Sequence, residues 1–156
     1  DCGCGGGANI KTLLKLCPKG KVQGIDYSAV SVEKARKVNA GAIAAGRCTV
    51  QQASVAELPF EAEQFEVVTA FETVYFWPEL VQNFREVYRV LKPGGVFFIC
   101  NEANGETTKD DKWTQIINGM TIYTDTALKA YLEQAGFCKI QSHKNKKGWL
   151  CVTARK

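Results

Sequence analysis

The sequence predicts an α/β protein with a doubly wound, mostly parallel sheet and an antiparallel hairpin at its carboxyl end. Helix-type and strand-type apolar patterns alternate along most of the chain. This order favours a parallel sheet with helices on both faces. The last two apolar segments are separated by a short polar turn, which is the pattern of a hairpin. The sequence contains no linker and no internal repeat, and we therefore expect a single domain over residues 1–156.

Four segments have the apolar spacing of amphipathic helices. Each also has start or stop signals, such as a serine or threonine cap, a proline or a glycine. The first helix covers Ile10 to Cys17 and ends before Pro18, and the second begins after a cap at Ser28 or Ser31 and ends near Gly46. The third runs from Leu80 to Leu91 and ends before residues 92–95, and the fourth lies between Thr124 and Gly136.

Short apolar segments between these helices are predicted to be strands. They cover Lys21–Asp26, Cys48–Gln52, Phe65–Phe71 and Val96–Asn101, and the closing hairpin pairs Cys138–His143 with Trp149–Ala154. We expect a turn at residues 57–60 and a polar loop before Thr124.

Composition argues against several classes of function. The net charge of +4 is too small to indicate a nucleic-acid partner. No apolar run reaches the ~18 residues of a membrane span. Seven cysteines without a C-x-x-C pair, together with the single histidine His143, argue against a zinc site. We expect no bound metal, and free thiols in a reducing cytoplasm.

The first seven residues, DCGCGGG, form a D-x-G-x-G-x-G turn before a predicted helix. Alternate glycines accept positive φ and let a ligand approach the backbone, and the helix start offers free N–H groups. Asp26, Ser54 and Val55 lie at the carboxyl ends of the next two strands, where ligands bind in parallel sheets. Because a carboxylate can accept hydrogen bonds from ribose hydroxyls, the pattern predicts a nucleoside-containing cofactor. The glycines also satisfy the fingerprint of NAD-binding folds, although Asp1 better suits a ligand with an ammonium group.

Five strings occur in order along the chain: DCGCGGG, GIDYS at 24–28, ELPF at 57–60, LKPGG at 91–95 and YLEQAGF at 131–137. Together they resemble a class I S-adenosylmethionine-dependent methyltransferase of the small-molecule type, which has a Rossmann-like fold. The resemblance implies S-adenosylmethionine as cofactor and S-adenosylhomocysteine as product. It assigns the methionine part to Asp1, Gly3, Gly5 and Gly7, the ribose to Asp26, the adenine to Tyr27, Ser54 and Val55, and the methionine and the acceptor to Phe71 and Glu72.

The sequence departs from this family in two respects. Ser54 stands where the family often has an aspartate for the adenine amino group. The rest of the first strand and the lid segment that usually precede the glycine turn are also missing from the sequence, and we expect a chain shortened at its amino terminus.

The acceptor is expected to be a small molecule, with no nucleic acid and no membrane involved. The strings typical of nucleic-acid methyltransferases do not occur, and residues 71–78 read FETVYFWP instead. Packing is the favoured role for Phe76, while Tyr75 and Trp77 could pack or enclose the acceptor. Glu72 and Glu102 are the candidates for a catalytic base, ahead of His143, which leads into a lysine-rich turn. An NAD-dependent oxidoreductase and a non-catalytic cofactor-binding domain remain the alternatives.

Overall fold

A computed structural model describes residues 1–106 and 110–156. The chain divides into two compact units, an amino-terminal unit of Asp1–Glu57 and a carboxy-terminal unit of Leu58–Lys156. Helices alternate with strands in both. The predicted fold class, a mixed α/β fold with parallel strands and an antiparallel hairpin, is confirmed.

The amino-terminal unit is a two-stranded parallel sheet with its helices. Its elements are α1 (Ala8–Leu16), β1 (Val22–Asp26), α2 (Ala29–Val38), α3 (Ala40–Ala44) and β2 (Cys48–Gln52). β1 pairs with β2 in parallel, and Cys2 forms a parallel bridge with Ile25 on β1. The buried side chains that hold this unit together come from the glycine turn, both strands and the first two helices: Cys4, Ile10, Leu14, Val22, Val32, Ala35, Cys48 and Val50.

One predicted helix of this unit is divided into two. α2 begins after Ser28, whose side chain accepts a hydrogen bond from the N–H of Ser31, as predicted for a cap. It ends before Asn39, which is buried and donates from its side-chain amide to the carbonyl oxygens of Gly7 and Ala35, each at 3.0 Å. Because Asn39 bonds the backbone through its side chain, it interrupts the regular helix.

The carboxy-terminal unit is a four-stranded sheet in the order β3-β4-β6-β5. Its elements are β3 (Phe65–Phe71), a 3-10 helix (Val74–Phe76), α4 (Leu80–Val90), β4 (Leu91–Asn101), α5 (Asp111–Ile116), α6 (Asp125–Gln134), β5 (Cys138–Lys144) and β6 (Leu150–Arg155). β3 and β4 are parallel, and β6 runs antiparallel to both β4 and β5. The predicted closing hairpin is therefore confirmed.

Two predictions for this unit are wrong in detail. The helix was expected to reach Leu91 and to be ended by residues 92–95, with a strand from Val96, but β4 begins at Leu91 and includes residues 92–95. The pairing with β3 is irregular there, with a shift between Phe65 and Val67, and Gly94 has a φ of 76°. The loop expected before Thr124 contains α5, which is only six residues long and too short to give a clear periodicity.

An aromatic cluster fixes the segment after β3 onto the sheet. The ring of Phe97 on β4 lies 6.2 Å from Trp77 in a stacked arrangement, 5.5 Å from Phe84 and 5.8 Å from Phe137. Such pairs stabilise a core beyond the area that they bury. The cluster therefore anchors the 3-10 helix that precedes Trp77. In the described residues, no helix is both long and apolar enough to cross a membrane.

Candidate functional site

The glycine turn is closed by hydrogen bonds to β1 and requires left-handed backbone. Gly3, Gly5 and Gly7 have φ values of 77°, 50° and 82°. The N–H groups of Gly3 and Cys4 both donate to the carbonyl oxygen of Ile25 at 2.8 Å. The glycine-turn prediction is thus consistent with the local geometry, because a side chain is strained at such φ values.

Two glycines of the turn serve different needs. A Cβ added to Gly7 would lie 2.6 Å from the side-chain nitrogen of Asn39 and 2.8 Å from the Cα of Ala35. Gly7 is therefore needed for close packing against α2. A Cβ added to Gly5 would meet no atom of the described residues within 4 Å. The backbone of Gly5 borders open space that a ligand could enter.

Asp26, at the end of β1, connects the turn to the start of α2. Its side chain is 7% exposed. One carboxylate oxygen accepts a hydrogen bond from the N–H of Gly5 at 2.8 Å, and the other accepts one from Ser28 at 2.9 Å. Each oxygen keeps a second lone pair for another donor. Burial, and then the charge of Asp26, raises the pKa of the Cys4 thiol to about 11.

The remaining predicted cofactor residues of this unit lie at its strand ends. Tyr27 follows Asp26 and is 78% exposed, and its carbonyl oxygen accepts a hydrogen bond from Gln52 at 2.9 Å. Ser54 is exposed and its hydroxyl accepts from the N–H of Ala56 at 3.1 Å, while Val55 is half-buried. Asp1 is half-buried, and its carbonyl oxygen accepts from Ile25 at 3.0 Å. The unit thus combines the turn, a carboxylate and an exposed ring.

Glu72 is the centre of a hydrogen-bond network in the carboxy-terminal unit. It follows β3 with a φ of 56°, a conformation that is uncommon for a residue other than glycine. One carboxylate oxygen accepts from the N–H of Glu102, and the other lies 3.3 Å from the Tyr75 hydroxyl. That hydroxyl accepts from the N–H of Ala103 at 2.9 Å. Glu72 therefore joins the ends of β3 and β4, and burial raises its pKa.

A cavity of about 260 Å³ lies beside this network. It is lined by Glu72, Tyr75, Phe76, Glu102, Ala103, Trp113, Ile117 and Met120. Both predicted base candidates therefore line one cavity. Sequence reasoning missed Trp113, Ile117 and Met120, which lie in the segment expected to be a loop.

The aromatic residues after β3 differ in their surroundings. Phe76 is 44% exposed and lines the cavity, so the packing role that was favoured for it is wrong. Trp77 is 6% exposed and packs against Phe84 and Phe97 instead. Phe71 is half-buried, with its ring 5.6 Å from that of Phe98.

The two remaining sequence hypotheses concern His143 and the cysteines. His143 is exposed on β5 and is not among the described residues that line the cavity. All seven cysteines are free thiols. Within the described part of the chain, no group of three or more histidine, cysteine or acidic residues could hold a metal ion.

Residues 1–99 match the family model described as "Methyltransferase domain", which is more than half of the chain. The chain belongs to this family. Of the curated relatives, the demethylmenaquinone methyltransferase of Symbiobacterium thermophilum is 34% identical over 105 residues, which cover 67% of this chain and 41% of the relative. The mouse arsenite methyltransferase is 30% identical over 153 residues, covering 88% of this chain and 40% of the relative.

A plant sterol enzyme is also similar. The cycloartenol-C-24-methyltransferase 1 of Oryza sativa subsp. japonica is 30% identical over 99 residues, which cover 64% of this chain and 28% of the relative. The methyltransferase-domain chain thus spans less than half of the length of each of these three relatives.

Solved structures show the same fold at low identity. A SAM-dependent methyltransferase from Aquifex aeolicus has a TM-score of 0.83 at 21% identity, covering 99% of this chain and 79% of that one. The cyclase SpnF has a TM-score of 0.79 at 20% identity, covering 100% of this chain and 74% of that one. These likenesses show a Rossmann-like methyltransferase fold, which also occurs in a protein described as a cyclase.

Membership of the family implies S-adenosylmethionine as cofactor and S-adenosylhomocysteine as product. The amino-terminal unit fits such a ligand in three respects. Open space borders Gly5, the Asp26 carboxylate keeps lone pairs for hydroxyl donors, and the Tyr27 ring is exposed beside it. The similarities do not favour the NAD-dependent alternative.

Proposed function

We propose that this methyltransferase domain catalyses the transfer of a methyl group from S-adenosylmethionine to a small-molecule acceptor. The observation that carries the proposal is the contact between Gly5 and Asp26, where an N–H of the glycine turn meets a buried carboxylate below open space. A nucleoside that carries an amino-acid chain needs both features, because its ribose donates hydrogen bonds and its chain must approach backbone closely.

The roles of the amino-terminal unit follow from its geometry. Asp26 accepts hydrogen bonds from the ribose diol on lone pairs that Gly5 and Ser28 leave unused. Tyr27 lies against the adenine, whose edge Ser54 and Val55 border. The glycine backbone holds the methionine part together with Asp1, whose carboxylate suits an ammonium group.

The bound cofactor supplies a methyl group on a cationic sulfonium, so the protein needs no covalent catalysis. Its residues orient the acceptor, exclude water and accept a proton where the acceptor has one to lose. Phe71 and Glu72 keep the roles that the resemblance implies, facing the methionine and the acceptor. We assign the role of proton acceptor to the Glu102 carboxylate. The Glu72 carboxylate is already engaged by the Tyr75 hydroxyl and by the backbone N–H of Glu102.

The acceptor is proposed to be a small molecule, without a nucleic acid or a membrane as partner. The named relatives act, by their names, on demethylmenaquinone, arsenite and cycloartenol, which share little chemistry. These names support a small acceptor but do not select one. The seven cysteines are odd in number and scattered along the sequence, which supports the proposal of a reducing, cytoplasmic compartment.

Titration calorimetry with S-adenosylhomocysteine and with NAD⁺ tests this proposal. We expect saturable binding of S-adenosylhomocysteine and no heat from NAD⁺. Asp26→Asn should weaken binding by about 1–3 kcal/mol, since a charged acceptor is lost. Glu33→Gln removes an exposed carboxylate from α2 and should leave the affinity unchanged. Binding of NAD⁺, or of neither ligand by folded protein, would contradict the proposal.

A further inference from the structure

The cavity beside Glu72 has an unusual distribution of charge. Among the described residues that line it, Glu72 and Glu102 carry carboxylates and none is basic. The Glu72 carboxylate is held in place by the Tyr75 hydroxyl and by the N–H of Glu102. Two like charges facing one cavity disfavour each other and favour a cation between them. The electrostatic pattern therefore selects against anionic ligands.

The other walls of the cavity are apolar and partly aromatic. The rings of Phe76 and Trp113 are 44% and 51% exposed, and Ile117 and Met120 complete the wall. Large exposed rings in a concave site commonly contact a ligand. Aromatic faces also attract a cation, and tryptophan does so most strongly. The walls suit a ligand that is flat or apolar over most of its surface.

The volume indicates how much of a ligand the walls of the cavity can surround. At about 30 Å³ per water molecule, the 260 Å³ cavity holds roughly nine water-sized groups. A single aromatic ring with a short chain fills such a space.

We propose that this cavity binds a compact aromatic ammonium ion, in which one ring carries a short protonated amine. The ring lies against Phe76 and Trp113, and the ammonium group donates to the carboxylates of Glu72 and Glu102. That this amine is also the methyl acceptor rests on the proposed function.

Calorimetry with three probes of one shape tests the proposal on the whole chain. Phenethylamine is cationic at pH 7, phenethyl alcohol is neutral and phenylacetate is anionic. We expect phenethylamine to bind about tenfold or more tightly than the alcohol, since an ammonium–carboxylate contact replaces a neutral one. Phenylacetate should not bind. Equal affinity for the amine and the alcohol, or tighter binding of the acid, would overturn the proposal.

The Glu102→Gln variant tests whether the preference for the amine over the alcohol arises in this cavity. The substitution keeps the shape of an exposed side chain and should lower the affinity for the amine by about 3- to 10-fold. Glu133→Gln is the matched control, because this exposed glutamate on α6 is outside the cavity lining. An unchanged affinity in Glu102→Gln, or an equal loss in both variants, would refute the site.

Titration of the same samples with S-adenosylhomocysteine separates the two proposals. Cofactor binding without any preference for the amine refutes the ammonium site and leaves the proposed function intact. A preference for the amine without cofactor binding refutes the proposed function and leaves the ammonium site intact.

Discussion

Gly5 and Gly46 form a matched pair that tests where the cofactor lies. Both glycines belong to the amino-terminal unit and have positive φ, at 50° and 67°. A Cβ added at either position would meet no atom of the described residues within 4 Å. Alanine should therefore cost about 1–2 kcal/mol of unfolding free energy at each site through the left-handed backbone alone. The two variants should unfold at similar denaturant concentrations.

The variants should differ sharply in ligand binding. In Gly5→Ala the methyl group occupies the space that the cofactor is proposed to enter, and such a clash costs about 1–3 kcal/mol. We expect calorimetry to show a loss of S-adenosylhomocysteine affinity of about 5- to 150-fold. Gly46→Ala should bind as the unmodified chain does. Equal affinities in the two variants would refute the assignment of the open space at Gly5 to the cofactor.

Three further predictions concern stability and reactivity. Cys17 and Cys138 are exposed, so a thiol reagent should label about two of the seven cysteines quickly in the folded chain and all of them in denaturant. Asn101 is fully buried and its side-chain amide has no hydrogen-bond partner among the described residues. Asn101→Leu should therefore raise the free energy of unfolding by about 1–3 kcal/mol. A fall in that free energy would contradict this prediction. Hydrogen bonds from Arg89 lower the pKa of Glu86 from its ordinary 4.5, so Glu86 contributes stability above that value and loses it as the pH falls through the lowered pKa. Glu86→Gln should cost about 1 kcal/mol at pH 7, and the difference in denaturant unfolding should disappear at a pH well below 4.5; a constant difference would refute the assignment.

Most elements could be predicted because their signals are local. The predicted bounds of Cys48–Gln52 and Phe65–Phe71 match β2 and β3. In β2 the buried Cys48 and Val50 alternate with the exposed Thr49, which is a local strand signal. Thr124 caps α6 by accepting from the N–H of Ala127, as its position suggested. The start of β4 was predicted too late in the sequence. The proline and glycines of residues 92–95 usually indicate a turn, whereas here they belong to an irregular start of this strand.

The candidate site was predictable only in part. The position of Asp26 at a strand end was visible in the sequence, but its hydrogen bond from Gly5 depends on how the turn folds back onto β1. Phe76 and Trp77 are adjacent, and a three-residue 3-10 helix has no periodicity that tells which ring enters the core. Trp113 lines the cavity through tertiary contacts that no local pattern encodes.

Amide chemical shifts of the isotope-labelled chain, followed during titration with S-adenosylhomocysteine, locate the cofactor site residue by residue. We predict that the amide signals of Gly3, Gly5, Gly7 and Tyr27 move on titration, together with those of residues 53–56, whereas those of β5 stay in place. Saturable shifts confined to the carboxy-terminal unit, or none in a folded sample, would contradict it.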